Sequence, residues 1–475
     1  FHRLQEIMEM IHNWQKDGRL PLDYQIVIDA PTGMKIQKVF NSLNPEQLTT
    51  RYGDDPSFYK DGEGSVERFK LKNGLTVLFH KDVTTPMAVV NTLYNVGARD
   101  ESEDKTGFAH LFEHLMFGGS VNIPNYDEPL QMVGGENNAF TTNDITNYYC
   151  TVPAENLETA FWLESDRMLS LAFDKKSLEV QRSVVIEEFK QRYLNQPYGD
   201  VWLKFRPLIY TKHPYRWPTI GAGIQHIEEA QMSDVKAFFQ KHYVPANAVL
   251  VVAGRVKVDQ VKALAEKWFE PIPAGVKPQR NLPQEPTQIE NREMEIVADV
   301  PANRLYKAYP VIGRYEPGYH AIDLMADLLG RGESSYLYEH LVQKKRLFDT
   351  IGTYQTSSID PGLLIIQGQV SDDVTIEEAE EALKQAIQDF ATSKIAEKDL
   401  QMVKNQSEAS LVFGEVEVLN RAMNLAMAAN VGDVNLVNTE AEKIAEVQTQ
   451  DLEKWAQRLF IQGKTNTLFY KKIAK

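Results

Sequence analysis

One cysteine, Cys150, is all the thiol this 475-residue chain contains, so no intrachain disulfide can form and the redox compartment is left open. It lies in the alternating run 146–152, which reads as a strand, where a buried structural role is expected rather than a nucleophile. Long apolar runs are missing too. The most hydrophobic stretch, Ala248-Val249-Leu250-Val251-Val252-Ala253, is far shorter than a bilayer-spanning helix requires, and no membrane span is expected. Positive charge is in deficit, with 51 Lys and Arg against 66 Asp and Glu and a net charge of −15. A surface of that sign repels phosphate backbones, which argues against nucleic acid as a partner and favours basic or neutral ligands. What remains, 43% hydrophobic and 25% charged residues, is the composition of a soluble globular protein. Numbering opens on Phe1 rather than methionine, which leaves room for a removed upstream signal. The bacterial periplasm and the cytoplasm both fit, and the sequence does not choose between them.

Residues 1–65 read as an N-terminal extension: a short amphipathic helix pattern (Leu4, Ile7, Met8, Ile11, Trp14), then a polar, turn-rich stretch. Regular patterning begins at Val66. Residues 66–71 and 75–79 alternate about Asn73-Gly74, a hairpin signal. Strand patterns at 87–94 and 146–152, helical patterns at 107–117, 154–172 and 175–193, a strand at 249–253 and a helix to about 269 fill a first lobe over 66–270. Five prolines (271, 273, 278, 283, 286) with little periodic apolar content mark 271–290 as a linker. The second lobe, 291–475, repeats the order: strands near 292–298 and 304–309, a helix opening at Pro317, strands near 351–357 and 362–370, then long helices. The expected fold class is α+β, two similar lobes each with an antiparallel sheet packed with helices.

The chemistry concentrates in His110-Leu111-Phe112-Glu113-His114. On a helix, residues four apart share a face, so His110 and His114 can chelate one ion. Phe108, Ala109, Leu111, Phe112, Leu115, Met116 and Phe117 surround them, and a helix so apolar is buried. Buried imidazoles and a carboxylate need partners or a metal. A catalytic zinc site wants a third protein ligand and an open position, with a carboxylate nearby as base, and Glu113 fits the base role. For the third ligand, Glu187 and Glu188 compete. Glu188 has Val184 and Val185 at i−4 and i−3, whereas Glu187 neighbours Ser183, Lys190 and Gln191, so Glu188 is the one expected to point inward. Its competing role is a salt bridge to Arg192 on the next turn.

Several segments together resemble the pitrilysin, insulysin and mitochondrial processing peptidase family of inverted zinc metallopeptidases. Tyr94-Asn95-Val96-Gly97-Ala98-Arg99-Asp100 followed by residues 107–117 is similar to the family's strand, loop and zinc helix. Gln181-Arg182-Ser183-Val184-Val185-Ile186-Glu187-Glu188 resembles the helix supplying the third ligand and again selects Glu188. Gly134-Gly135 with Asn138-Ala139-Phe140-Thr141 resembles the edge strand that pairs with extended peptides, so Asn138, Ala139 and Phe140 are expected to hold substrate; Asn138 as a simple turn cap is the bland alternative. His213-Pro214-Tyr215 to Thr219-Ile220-Gly221 looks like a further family segment of no derivable role. The resemblance implies a clamshell of two lobes, one zinc ion per chain held by His110, His114 and Glu188, and peptide-bond hydrolysis. It spans about 66–470, dense in the first lobe and loose in the second.

Two departures stand out. Gln181 occupies a place where family members often carry a second glutamate, and Val342 and Asp349 fall where active single-chain members carry an arginine and a tyrosine that bind the substrate carbonyl. Loss of such a clamp removes about 2–4 kcal/mol of transition-state stabilisation. The expectation is a zinc-bearing subunit of a heterodimer whose homologous, zinc-free companion supplies the pair. A non-catalytic scaffold of the same fold is the alternative, although all four residues of the zinc site are in place.

Overall fold

The computed structural model describes residues 24–29, 33–38 and 66–473. The helix pattern of residues 4–14 lies outside them. Within the extension, β1 (Tyr24–Asp29) and β2 (Gly33–Lys38) pair antiparallel, where the sequence suggested only turns.

Two larger sheets carry the fold. The first has six strands: β3 (Val66–Lys70), β4 (Thr76–Lys81), β5 (Met87–Tyr94), β6 (Glu136–Thr141), β7 (Thr146–Pro153) and β8 (Ala248–Gly254). Their order is β3-β4-β8-β5-β7-β6. The second has β9 (Arg292–Ala298), β10 (Arg304–Pro310), β11 (Phe348–Gln355), β12 (Leu363–Val370) and β13 (Asn466–Lys472), in the order β11-β12-β10-β13-β9. Each sheet is antiparallel except for one pair: β4 runs parallel to β8, and β9 to β13. Strand for strand, β4-β8-β5-β7-β6 repeats as β9-β13-β10-β12-β11, which makes the duplication visible at the level of topology. Interior strand β8 is buried along its whole length, which is why it reads as a continuous apolar run. β6, at the sheet edge, is exposed or half-buried throughout.

The helices that matter below are α1 (Phe108–Leu115), α2 (Leu157–Ser170), α3 (Lys175–Phe189), α4 (Val201–Ile209), α5 (Tyr319–Gly330), α6 (Ile376–Thr392) and α7 (Val418–Asn430). Contacts group the chain into two compact units. One comprises residues up to Ile186, Thr219–Asn281 and Glu408–Glu442; the other Glu187–Pro218, Leu282–Ser407 and residues from Lys443 onward. The chain changes unit within 271–290, between Asn281 and Leu282, but it also does so four other times, three of them inside helices: α3, Glu397–Gly414 and Leu436–Glu446.

These crossings follow from where apolar faces find cover. Ala422, Leu425 and Ala426 of α7 pack with Leu78, Val89, Leu93, Val249 and Val251 of the first sheet. Val201, Phe205 and Ile209 of α4 pack with Ile296, Tyr306, Ile365 and Leu468 of the second. Each fully buried leucine or phenylalanine contributes about 2–3 kcal/mol, so a helix settles on whichever sheet covers its stripe, irrespective of its position in sequence. A buried ion pair also ties a helix to each sheet. Arg421 of α7 reaches His80 of β4 and Asp82 just beyond it, and Lys307 of β10 reaches Glu380 of α6 (2.9 Å) and Thr467 (3.0 Å). Burial raises the Asp82 carboxyl, but Arg421 and the hydrogen bonds of Thr84 outweigh it and hold the group below its ordinary value.

Candidate metal centre

α1 begins at Gly107, whose φ of +86° is left-handed backbone that favours glycine. A Cβ there would stand 2.7 Å from the Ile220 carbonyl oxygen, and one on Gly221 3.2 Å from the Gly107 Cα, so the segment around Gly221 is seated directly against the helix start. Thr106 adds to that seat: its hydroxyl accepts from the Ala222 N–H (2.8 Å) and is 2.7 Å from His226 Nδ1. The orphan N–H groups of the first turn go to a distant side chain. Buried Glu101 accepts from Gly107 (2.9 Å) and Ala109 (2.8 Å), a carboxylate at the positive end of the helix dipole.

Below the helix is an aromatic floor. Phe112 stacks on Phe238 (5.3 Å between centroids) and Tyr243 (5.1 Å), and the Tyr148 hydroxyl donates to the Phe112 carbonyl (3.3 Å). Deeper still, Arg167 of α2 is 1% exposed, paired with Glu164 and boxed by the rings of Tyr126 (4.4 Å) and Tyr148 (4.5 Å). Glu164 also accepts from Tyr126 (2.7 Å), Thr92 (2.9 Å) and Cys150 (3.2 Å). Burial pushes the Cys150 thiol well up, so it stays protonated and structural. With its underside packed in this way, α1 turns its polar face outward as a rigid platform.

On that face the structure brings together His110, His114 and Glu188, each offering one ligand atom, all within 4.8 Å of one another. The imidazoles are one turn apart with centroids at 4.8 Å and rings nearly perpendicular. Among the described residues no other three His, Cys, Asp or Glu side chains converge in this manner. Glu188, on the last turn of α3, is half-buried and Glu187 exposed. The orientation argument through the valines holds only for Val185, which is buried; Val184 is 44% exposed. Glu188 also makes the ion pair with Arg192 (2.9 Å), so the two roles considered for it coexist. Two imidazoles and one carboxylate form a donor set that suits zinc and leaves a coordination position open, and the residues present therefore fit such an ion.

Glu113 lies on α1 between the two histidines, and its carboxylate Oε2 accepts from the Thr141 hydroxyl at 2.6 Å. Thr141 is the last residue of β6, the strand that also carries Asn138, Ala139 and Phe140 at the edge of the sheet. Asn138 Oδ1 accepts from the N–H of Ala139 (2.8 Å), and Phe140 packs against the core on the side of α7.

Other segments singled out in the sequence find structural roles. His213 caps a short turn through the Tyr215 N–H and lies 3.3 Å from Asp360, while Glu285 accepts from the N–H groups of residues 211, 212 and 213 at 2.7–2.9 Å. Gln181 is half-buried, its amide facing Gly118 just beyond α1. Val342 lies half-buried in the π-helical segment Tyr338–Lys344, and Asp349 accepts from Ser371 (2.8 Å) and Gln369 (3.2 Å). Thr141 enters the sequence reading only as the last residue of the segment that resembles the edge strand, with no role of its own, and Glu101 lies in the charged run 99–105, where no local pattern marks it as a helix cap.

The family model described as "Insulinase (Peptidase family M16)" matches residues 76–203, and that described as "Peptidase M16 inactive domain" matches 230–407. The chain is 27% identical over 413 residues to the zinc protease PqqE of Helicobacter pylori, covering 85% of this chain and 92% of the relative. It is 25% identical over 366 residues to an uncharacterized zinc protease, YmxG, of Bacillus subtilis, covering 76% and 86%. Among solved structures, a protease from Helicobacter pylori superimposes with a TM-score of 0.80 at 27% identity, over 86% of this chain and 99% of that one.

Proposed function

Since the chain belongs to peptidase family M16, we propose that it is a zinc-dependent endopeptidase acting on peptides or unfolded segments. The observation that carries this reading is the convergence of His110, His114 and Glu188 on the face of α1 that also presents Glu113. Zinc held by those three residues would supply Lewis acidity, polarising a water molecule and the scissile carbonyl. The chain's own residues do the rest. Asn138, Ala139 and Phe140 offer the edge of β6, where the backbone of an extended peptide can add as a further strand with little regard to its side chains. Glu113 takes the proton of the attacking water as the carbon–oxygen bond forms, then delivers it to the amine nitrogen as the carbon–nitrogen bond breaks.

The proposal extends to a partner. Val342 and Asp349 offer neither a cation nor a phenol for the carbonyl oxygen, and the Asp349 carboxylate is engaged by Ser371 and Gln369. A homologous, zinc-free companion would provide that clamp. Among the described residues no helix is long and apolar enough to cross a membrane.

Metal analysis of the purified protein beside Glu188→Gln, together with cleavage of a fluorogenic peptide by the chain alone and with a candidate companion, tests both parts. The expected outcome is one zinc per chain, lost in the variant, and cleavage that requires the companion. Wild type without zinc, or a variant that binds it equally well, refutes the site. Full cleavage by the lone chain refutes the partner, and zinc binding without cleavage under either condition favours a non-catalytic scaffold.

A further inference from the structure

Glu113 is gripped by the strand proposed to receive the substrate. β6 alternates its side chains between two faces. Phe140 turns to the core beneath α7, and Thr141, the next residue, turns the other way, its hydroxyl donating to Glu113 Oε2 at 2.6 Å. At this length a hydroxyl-to-carboxylate bond is of the strong, charge-assisted kind, and it fixes the orientation of the Glu113 carboxylate.

Thr141 is itself held firmly. Its backbone pairs with Thr146 on β7. The next residue, Thr142, closes the turn: its N–H donates to the Ile145 carbonyl (2.8 Å) and its hydroxyl accepts from the N–H groups of Asp144 and Ile145 (3.1 Å each). That turn is fastened to the loop before α1. Ala98 N–H donates to the Thr142 carbonyl (3.1 Å), Arg99 N–H to that of Asn143 (2.9 Å), and the buried Arg99 and Asp144 side chains form an ion pair at 3.1 Å. A Cβ on Gly97 would stand 2.5 Å from the backbone of Asn143, so the two loops are in backbone contact. Two residues beyond Arg99, Glu101 caps the first turn of α1. The hydrogen bonds thus form a closed ring: α1 to Glu101, the loop at 98–99, the turn 142–145, Thr141, and back to α1 at Glu113.

We propose that Thr141 is a positioning residue for Glu113, and that through it the edge strand and the general base are set as one piece. A peptide that pairs along Asn138, Ala139 and Phe140 engages a strand whose next residue holds the base, so docking in register and presenting the carboxylate are a single event. A hydroxyl confined to shaping β6 would act differently: its loss would disturb the edge and weaken substrate binding, without singling out the chemical step. The inference rests on the peptidase reading above, and its own test includes a readout that needs no turnover.

Thr141→Val keeps the shape and removes the donor; Thr141→Ser keeps the donor; Thr141→Ala is a second donor-free variant in case valine perturbs folding. In the full zinc-loaded chain, with its companion where cleavage requires one, the donor-free variants should lower kcat about tenfold to a hundredfold on a fluorogenic peptide. KM and the dissociation constant for zinc should stay within about twofold, and serine should restore most of the rate. In the cobalt(II)-substituted protein the visible bands, which report groups aimed at the metal's open position, should shift in Thr141→Val and return in Thr141→Ser. If kcat and the cobalt bands of Thr141→Val match wild type, or serine is as impaired as valine, the positioning role is overturned. A wild type that cleaves no peptide refutes the peptidase reading instead, and the cobalt comparison alone then decides on Thr141.

Discussion

α1 and α5 are the same element built twice, and only one of them carries the residues proposed to hold a metal. Each is entered through a glycine with left-handed backbone, Gly107 at φ +86° and Gly318 at φ +101°, and each lies against the edge strand of its own sheet, β6 or β11. Counted from that glycine, His110, Glu113 and His114 correspond to Ala321, Leu324 and Met325. The second set is buried: Ala321 is 3% exposed, Leu324 1% and Met325 0%. In the first set the same three places are polar, and Glu113 and His114 are half-buried. The duplicated frame therefore does not dictate the site. What differs is whether a helix face is covered with apolar side chains or left polar and half-buried, at a stability cost that the proposed metal site would explain.

That contrast can be broken at either helix. Glu113→Gln should lower peptide cleavage about a thousandfold while zinc stoichiometry stays at one, because the amide keeps the shape and loses the proton acceptor. A variant that retained more than a tenth of the wild-type rate would remove Glu113 from the mechanism. At the matching place in α5, Leu324→Glu buries a carboxylate with no designed partner and should lower unfolding free energy by about 3–5 kcal/mol in urea titration. A loss below 1 kcal/mol would mean that this position tolerates charge as α1 does, and the contrast would fail.

Acid should find a weakness on the side of α1. His242, 2% exposed and beside Phe238, is held by burial at a pKa of about 4, against a small opposing pull from Asp100; Lys241 and Arg280 act with the burial. The folded value lies below the unfolded value of about 6.5, so the unfolded chain takes up the proton first as pH falls. The stability conferred by neutral His242 is complete above pH 6.5 and drains away between 6.5 and 4, on the order of 2–3 kcal/mol. Relative to His242→Leu, wild type should lose about 2–3 kcal/mol of unfolding free energy as pH falls from 6.5 to 4; parallel curves would exclude the residue. The smallest effect belongs to the direct exchange. His110→Ala, Glu113→Leu and His114→Met together give α1 the α5 residues and should stabilise the metal-free protein by about 1–2 kcal/mol while abolishing zinc binding. If the triple variant melts lower than the metal-free wild type, the polar face is not a stability cost.

Much of the frame was legible beforehand. Asn73-Gly74 announced the β3–β4 hairpin, the strand pattern of 87–94 coincides with β5, and four of the five strands of the second sheet begin within a few residues of their expected places, while β13 falls where only helices were expected. Such signals are local, carried by turn chemistry and by a period of two. The extent of the compact units was not legible. A cut at the proline-rich stretch describes the linear pattern, whereas α4 and α7 each lie with the sheet that covers their apolar stripe. Nothing in the period of α7 says which of two similar sheets it will meet, and the Arg421–Asp82 pair joins residues 339 positions apart.

The site divides the same way. Sequence by itself determined the donor types and their spacing: two imidazoles one helical turn apart, a carboxylate between them, and an apolar helix that must be buried on its other side, because a 3.6-residue period converts spacing into a shared face. The sequence also named Glu188 as the third ligand, but only the tertiary structure decided that it stands within 4.8 Å of those imidazole nitrogens, that Glu101 caps their helix from outside it, and that Thr141 holds Glu113. Each of those three depends on a loop or a neighbouring element bringing one polar atom to another, within 4.8 Å for Glu188 and within hydrogen-bond distance for Glu101 and Thr141, a separation set by packing across the fold and written in no local pattern of the chain.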